Sequence, residues 1–231
     1  LYYWALIPGL ISVIVIFTIR ESKHEVRPKP FENPFKTWSK CSPAFKEYIL
    51  AWGIFSVANS SDVFLLMKAK SMGQSTQSVI LLFCVYNLIY ALSSPYLGKL
   101  SDKIDRMKVL IGGLTIFTLV YLGFGFVNAG WQFWLLFGIY GLYMGATDGV
   151  GKALAVDLAP KEYKATSIGI LGTVTGVCTI VASVLAGLIW DQFGSQWTFI
   201  FAATGSLLTI AILIFLMKSK SQKGDAYAPV A

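Results

Sequence analysis

The sequence predicts an all-α, polytopic membrane protein with seven transmembrane helices. Hydrophobic residues make up 55% of the 231 residues and charged residues only 13%, whereas soluble domains average about 25% charged residues. The mean hydropathy is +0.64. The apolar residues come in blocks of about twenty, which is the helical length that crosses a hydrocarbon core about 30 Å thick.

The apolar blocks and the segments between them predict the domain organisation. The seven predicted spans are residues 1–19, 47–67, 76–97, 108–127, 131–154, 165–189 and 196–217. Residues 20–46 hold four prolines and many charges, which is typical of a linker. Residues 218–231 are polar and are expected to form a disordered tail. The chain begins with Leu1 and shows no signal peptide, so we expect it to be cut from a longer protein.

The distribution of lysine and arginine predicts the orientation in the membrane. Sixteen of the nineteen basic residues lie in the linker, the tail and two loops on the same side of the predicted spans. Lys68 and Lys70 lie on the other side, and Lys152 lies within a span. Because cytoplasmic loops are enriched in Lys and Arg, the linker and the C-terminus are expected to be cytoplasmic. This pattern is typical of a multi-pass protein of the plasma (cytoplasmic or inner) membrane.

Composition and motifs argue against several classes of function. The formal net charge of +7 is concentrated at the ends of spans, where it sets orientation, so we expect no nucleic-acid partner. His24 lies in the charged linker, and Cys41, Cys84 and Cys178 are too far apart in sequence for a metal site. The sequence has no nucleophile–base pattern and no phosphate-binding loop. We therefore expect no catalytic residue, no metal, no cofactor and no ATP-driven pump.

A charged block between two spans is the strongest motif. It runs from residue 98 to residue 108, and six of its eleven residues are charged. Gly98 would let a neighbouring helix approach closely. Asp102 could accept hydrogen bonds from free amides at a helix N-terminus, and Lys103 and Arg106 could reach carboxylates or lipid phosphates. An ordinary charged loop would explain the lysines alone, but not the Gly-to-Asp spacing.

A faint internal repeat accompanies this block. Gly98-x-Leu100-x-Asp102 follows the second of the first three spans after the linker, and Gly187-x-Ile189-x-Asp191 follows the second of the last three. The two copies fall on opposite sides of the predicted membrane, as expected for two three-helix repeats of inverted topology. Because Gly and Asp are common at helix ends, chance similarity stays an alternative.

The block resembles the loop between the second and third helices of each half in the major facilitator superfamily of secondary transporters. It departs from the family pattern at Asp105, where a glycine is usual. The glycine-rich span ending in Asp191-Gln192-Phe193-Gly194 is also similar to the family. The resemblance implies transport of a small solute by alternating access. It also implies that residues 1–19 are helix 6, that residues 47–217 are the C-terminal six-helix half, and that the partners are the solute, the lipid bilayer and an N-terminal half outside this chain.

Three polar residues within the span 47–67 are candidates for the transport pathway. Ser56, Asn59 and Asp62 fall at i, i+3 and i+6, broadly on one helical face. A carboxylate inside a span is costly and is a functional candidate by default. Because a desolvated intramembrane carboxylate can titrate, proton coupling at Asp62 is a hypothesis that the sequence supports. The alternative is an interfacial carboxylate paired with Lys68 or with water.

A second group of charged residues predicts a cytoplasmic gate. Asp148 and Lys152 are spaced i, i+4, the favourable order for an ion pair within one helix. Gly141 and Gly145 extend the same stripe and offer a face for close packing. The resemblance implies a latch that forms in one access state and breaks in the other. The residues expected in this gate are Gly98, Asp102, Lys103, Arg106, Asp148, Lys152 and Asp157.

Three alternatives stay open from the sequence. A snorkelling Lys152 with a solvated partner would need no latch. A deeper set of polar and aromatic residues could line a cavity, or its tyrosines could simply pack against lipid and protein: Tyr86, Asn87, Tyr90, Tyr140 and Tyr143. A membrane scaffold or sensor that kept the fold would not transport at all, because fold alone does not determine function. A lipid-modifying enzyme is disfavoured, because the sequence has no cluster of His or Asp ligands.

Overall fold

The structure, a computed structural model, describes residues 10–11, 13–18 and 38–222. The chain divides into two units, Leu1–Glu32 and Asn33–Ala231. The described residues of the first unit are helical. Most of the predicted span 1–19, most of the linker 20–46 and the end of the tail lie outside the described residues, so those assignments stay predictions.

From residue 43 to residue 222 the chain is helical, with short connections and no strand, and the all-α prediction is confirmed. The elements are α1 (Pro43–Ala58), α2 (Val63–Ser71), α3 (Thr76–Lys103), α4 (Arg106–Phe126), α5 (Gly130–Leu158), a 3₁₀ helix (Lys161–Tyr163), α6 (Lys164–Phe193) and α7 (Ser195–Gln222).

Local sequence explains several helix ends. The Ser42 hydroxyl accepts a hydrogen bond from the Phe45 amide at the start of α1, four residues earlier than the predicted span. Ser75 caps α3 in the same way. Gly194 ends α6 with φ +94°, a left-handed conformation that glycine adopts without steric cost. Helix α7 continues to Gln222, five residues into the predicted tail.

Five stretches of the described chain are long and apolar enough to cross a membrane. They are Pro43–Ser71, Thr76–Lys103, Arg106–Phe126, Lys164–Phe193 and Ser195–Lys218. The predicted span 131–154 corresponds to α5, which is 29 residues long but is not one of the five. Glycines, tyrosines and charged residues interrupt its leucines and lower its hydropathy. A helix of this kind suits a position inside a bundle better than one facing lipid.

The packing between helices supports an inverted repeat. Helix α3 packs on α5, and α6 packs on α1; α4 packs on α5, and α7 packs on α1; α4 and α7 pack on each other. If α1, α3 and α4 exchange places with α5, α6 and α7, in that order, the same set of contacts results. Because each set has three spans, the second set enters the membrane from the opposite side.

The core lies around α4. Phe117 of α4 contacts Phe55 of α1, with the ring centroids 5.0 Å apart. Phe124, further along α4, contacts Phe137 of α5 at 5.3 Å and Phe199 of α7 at 5.7 Å. In α3 and α6 only 11% of the apolar stretch is buried, against 56% in α4. Helices α3 and α6 therefore form the outer faces of the described bundle.

Candidate functional site

The first spanning segment is interrupted at residues 59–62, whose sequence is Asn-Ser-Ser-Asp. Helix α1 ends because Asn59 leaves the helical conformation, with φ −85° and ψ 92°. Helix α2 begins at Val63. Consecutive Asn, Ser and Asp side chains compete with the helical hydrogen bonds of the backbone. The prediction of one continuous helical face carrying Ser56, Asn59 and Asp62 is therefore wrong.

Two tyrosine hydroxyls hold the Asp62 carboxylate. Tyr140 of α5 donates to Oδ1 at 2.6 Å, and Tyr86 of α3 donates to Oδ2 at 3.0 Å. Asp62 is the N-cap of α2 but makes no capping bond with its side chain, so both oxygens are available to the tyrosines. The carboxylate thus ties the break between α1 and α2 to two other helices.

Asp62 forms no ion pair with any residue that the structure describes. Lys68, the partner of Asp62 in the alternative interpretation, instead donates a 2.9 Å hydrogen bond to the Ser195 hydroxyl at the start of α7. The alternative of an Asp62–Lys68 pair is therefore wrong. A carboxylate that is hydrogen-bonded but has no counter-ion among the described residues of an apolar segment is a functional candidate.

The two other predicted pathway residues differ from each other. Ser56 is 2% exposed, and its hydroxyl donates to the Trp52 carbonyl at 2.8 Å within α1. The Oδ1 atom of Asn59 is buried and has no hydrogen-bond partner among the described residues. The break therefore presents a free acceptor at Asn59, three residues from Asp62. The structure offers no such atom at Ser56.

Aromatic rings surround the tyrosines that hold Asp62. The Tyr140 ring centroid lies 5.3 Å from that of Tyr86, 5.2 Å from Tyr143 and 6.2 Å from Tyr121. Tyr140, Tyr143 and Tyr121 are at most 3% exposed. Water is largely excluded from this cluster, so electrostatic interactions with Asp62 are stronger there than in bulk solvent.

A separate charge cluster lies at the end of the bundle where α3 ends and α4 begins. We call this end the basic end of the bundle. Arg106 of α4 donates to Asp102 of α3 at 2.8 Å and to Asp157 of α5 at 3.0 Å. One guanidinium thus joins three helices through two of its nitrogens. This arrangement matches the predicted contact of Asp157 with the charged loop, and its role in gating stays a prediction.

The other two residues of the predicted loop motif are less engaged. Lys103 is exposed. Beyond the adjacent backbone of α3, no described atom lies within 4 Å of where a Gly98 Cβ would be, so close approach of a helix at Gly98 stays a prediction. Asp105, which departs from the family pattern, caps α4 by accepting the Met107 amide at 2.9 Å. Its φ of −65° does not require glycine.

Asp148 and Lys152 form the predicted ion pair within α5, at 2.7 Å. The second oxygen of Asp148 accepts the Tyr90 hydroxyl of α3 at 2.8 Å. The predicted meeting of this pair with the charged loop is corrected, because the loop's Arg106 binds Asp157 instead. Asp157 lies nine residues further along α5, or about 13 Å.

The predicted close packing at the glycine stripe of α5 is confirmed. A Cβ at Gly141 would lie 2.6 Å from the Tyr86 carbonyl oxygen and 2.9 Å from Cβ of Ile89. A Cβ at Gly145 would collide with Ser93 of α3. The two helices therefore meet backbone to backbone, which fixes the tyrosines of α3 relative to α5.

Sequence reasoning left open what Tyr86, Tyr90 and Tyr140 do. In the structure each donates to an intramembrane carboxylate. One signal was present, since Tyr86 and Tyr90 are spaced i, i+4 and therefore share a helical face. The pairing of each tyrosine with its aspartate depends on tertiary contacts, which the sequence pattern does not contain.

Comparison with known proteins agrees with this architecture. The family model of the Major Facilitator Superfamily matches residues 48–229. An uncharacterized MFS-type transporter of Methanocaldococcus jannaschii is 29% identical over 221 residues, which is 92% of this chain and 54% of that protein.

Two further relatives are named for drug resistance. The class H tetracycline resistance protein of Pasteurella multocida is 32% identical over 62% of this chain and 35% of its own length. The multidrug resistance protein MdtG of Citrobacter koseri is 25% identical over 69% of this chain and 40% of its own. The chain thus spans about half the length, or less, of these curated relatives. The family match, the helical bundle and the apolar spans lead to one conclusion: the chain belongs to the major facilitator superfamily of membrane transporters, and not to a family of enzymes.

Proposed function

We propose that this chain is helix 6 and the C-terminal half of a secondary transporter that moves a small solute by alternating access and is coupled to protons through Asp62. The single observation that carries the proposal is the Asp62 carboxylate, held by Tyr86 and Tyr140 and without a counter-ion among the described residues. Such a carboxylate loses its negative charge when it binds a proton. The break at residues 59–62 allows the backbone around it to change conformation in response.

The break at residues 59–62 also provides a point at which α2 can move relative to the rest of the bundle. Asp62 connects the break to α3 and α5, whereas Lys68 connects α2 to α7 through Ser195. Protonation of Asp62 replaces a carboxylate by a carboxyl, which accepts hydrogen bonds less strongly. The two tyrosine bonds then weaken, and α2 is freer to move relative to α3 and α5. This links proton uptake to a change of access at the end opposite the basic end.

Arg106 and its two carboxylates are the proposed gate at the basic end. The Arg106–Asp157 contact joins α4 to α5, so it must break if these helices separate there. Both side chains are partly exposed, at 27% and 51%. A network of this kind contributes modest energy that can be gained and lost as the access state changes.

The orientation and partners follow from the same proposal. The distribution of Lys and Arg supports a cytoplasmic basic end, a cytoplasmic C-terminus and insertion in the plasma or inner membrane. The sparsely buried helices α3 and α6 are the faces available to an N-terminal half. The names of the tetracycline and multidrug resistance relatives make organic drug efflux the first activity to assay.

Solute flux in vesicles containing the intact transporter tests the proposal. We expect flux driven by a proton gradient, and we expect Asp62→Asn to abolish the response to the gradient. Asp191→Asn is the matched control, because Asp191 is an exposed carboxylate near the same end of the bundle. A protein that binds solute but shows no flux would support the scaffold or sensor alternative. Unchanged gradient-driven flux in Asp62→Asn would exclude Asp62 as the coupling site.

A further inference from the structure

The break at residues 59–62 ends α1 with oxygen acceptors that receive no hydrogen bond. No backbone amide of the described residues donates to the carbonyls of Ser56, Val57 or Ala58. Unpaired carbonyls of this kind place about half a negative charge at the C-terminus of a helix. The Oδ1 atom of Asn59, the next residue, is buried and also has no described partner. This end of α1 therefore attracts positive charge.

Protein covers the end of α1 closely. Ser56 is 2% exposed, and Ala58 and Ser60 are each 4% exposed. A Cβ at Gly205 of α7 would collide with Ala58, so the two helices meet directly at this point. An unpaired polar atom in such surroundings is costly unless a ligand satisfies it.

The Tyr121 hydroxyl is a second buried side-chain atom without a partner. Tyr121 of α4 is 1% exposed, and its hydroxyl meets no described residue at hydrogen-bond distance and angle. It interacts electrostatically with Asp62 and with Tyr140, whose ring centroid lies 6.2 Å from that of Tyr121. Within the described part of the chain, Asn59 Oδ1 and the Tyr121 hydroxyl are the two buried side-chain polar atoms without a hydrogen bond. Both belong to the surroundings of Asp62.

The lysines that follow in sequence do not neutralise Asp62. Lys68 donates to the Ser195 hydroxyl at 2.9 Å. Lys70 donates to the Thr76 hydroxyl at 2.9 Å. An ionised Asp62 thus leaves one negative charge on the break, without an ion pair to any described residue. Each of its oxygens accepts one tyrosine hydrogen bond and keeps a second lone pair for a further ligand.

The chemistry of these atoms selects the kind of ligand. Carboxylate, amide and carbonyl oxygens are the ligands that hard cations prefer, and unwound backbone at half-helix C-termini coordinates cations in other transporter folds. A water molecule would satisfy Asn59 but would leave the charge of Asp62 uncompensated. A divalent cation would leave a net positive charge in an apolar segment. A monovalent metal cation both balances Asp62 and satisfies several free oxygens.

We propose that the break binds a monovalent alkali cation, such as Na⁺, through Asp62, the Asn59 side chain and the carbonyl end of α1, with the Tyr121 hydroxyl as a further oxygen ligand. The inference rests on the proposed role of Asp62 in the pathway, and it adds a cation that competes with the proton for the same carboxylate. Binding makes and breaks no covalent bond. The cation gives up part of its water shell, and the tyrosines keep their protons and their hydrogen bonds to Asp62.

Binding of radioactive sodium to the purified intact transporter, with choline replacing sodium at constant ionic strength, tests this assignment. We expect a saturable site that Asp62→Asn abolishes. Asn59→Ala and Tyr121→Phe keep the carboxylate but each remove one neutral oxygen, so each should weaken sodium binding about tenfold. Asn87→Ala is the matched control and should bind sodium like the parent, because the Asn87 amide lies in α3 and donates to the Phe83 carbonyl of its own helix at 2.8 Å.

Thermal unfolding gives a second readout and shows that each variant is folded. Sodium should raise the unfolding midpoint of the parent relative to choline, because a ligand stabilises the state that binds it, and Asn59→Ala should lose most of this rise. Calcium should not replace sodium at the site, and equally tight calcium binding would contradict a monovalent site.

The outcomes separate this inference from the proposed function. The inference is overturned if the parent shows no saturable binding of sodium or potassium, or if Asn59→Ala and Tyr121→Phe leave binding unchanged, and the coupling role of Asp62 then stands. If sodium binding requires Asp62 but gradient-driven flux is unchanged in Asp62→Asn, the cation site is supported and the proposed coupling is overturned.

Discussion

The Tyr140 hydroxyl lies 2.6 Å from Oδ1 of Asp62, and this bond joins a break in one spanning segment to the interior of another helix. Asp62 would otherwise cap α2, but its side chain makes no capping bond. The carboxylate is thus oriented by the tertiary structure and not by its own helix. This geometry is the basis of the first prediction.

Tyr140→Phe is expected to reduce gradient-driven transport about tenfold or more. A hydrogen bond to a charged group contributes about 1.5–3 kcal/mol, and about 1.4 kcal/mol corresponds to a factor of ten. Tyr86→Phe should have the smaller effect, because its bond to Asp62 is longer, at 3.0 Å. Initial rates of solute flux in vesicles measure both. Equal rates in Tyr140→Phe and in the exposed control Tyr96→Phe would contradict the prediction.

Gly141→Ala is expected to destabilise the protein by about 1–3 kcal/mol through overpacking. The added methyl group would lie 2.6 Å from the Tyr86 carbonyl oxygen, and backbone atoms cannot move aside as a flexible side chain can. Gly149→Ala is the matched control on the same helix, since no described atom beyond the adjacent backbone of α5 lies within 4 Å of a Cβ there. Thermal unfolding of the purified intact protein should show a lower midpoint for Gly141→Ala only. A Gly141→Ala midpoint at or above that of Gly149→Ala would refute close packing at this site.

Asp105 provides a test of the loop that departs from its family pattern. Its carboxylate caps α4 through the Met107 amide, so Asp105→Ala should cost about 0.5–2 kcal/mol of stability. Asp105→Gly, which restores the usual family residue, should cost only a few tenths of a kcal/mol. Unfolding midpoints in one detergent measure the order of the two variants. A larger loss for glycine than for alanine would show that the cap does not stabilise α4.

Asp157→Asn is expected to favour the state that is open at the basic end. It removes the ionic contact between α4 and α5, and loss of about 0.2–1 kcal/mol changes the ratio of states by up to about fivefold. A cysteine placed at Gly169, which is exposed and open at the same end of α6, reports access when Cys84 and Cys178 are replaced by serine.

Labelling of that cysteine by an aqueous thiol reagent should be faster in Asp157→Asn than in the parent protein. Glu47→Gln is the control, because Glu47 is an exposed carboxylate of α1 near the same end. The same labelling rate in Asp157→Asn and in the parent would mean that the Arg106–Asp157 contact does not set the access state.

Much of the fold could be predicted from hydropathy. Each span in lipid makes its backbone hydrogen bonds within its own helix, so it is recognisable in the sequence as an apolar block of helical length. The ion pair of Asp148 with Lys152 and the packing at Gly141 and Gly145 also follow from helical spacing, which is a local property. These features need no knowledge of which helices are neighbours.

The parts that escaped prediction depend on tertiary contacts or on local competition. The break at residues 59–62 lies inside an apolar block that is long enough to cross the membrane unbroken, so hydropathy does not reveal it. The partners of Asp62 lie 24 and 78 residues away in sequence. Asp148 was grouped with Arg106 because both lie toward the basic end, but Arg106 binds Asp157, which lies nine residues, or about 13 Å, further along α5.

The central claim is that Asp62 couples transport to protons. Measuring solute exchange and pH-driven accumulation by the Asp62→Asn variant tests this claim most directly. In vesicles containing the intact transporter, the variant should still exchange labelled solute for unlabelled solute across the membrane, because the fold and the pathway remain. It should fail to accumulate solute against a gradient when a pH difference is imposed, because asparagine cannot bind the coupling proton. Accumulation driven by pH at the rate of the parent protein would contradict the account.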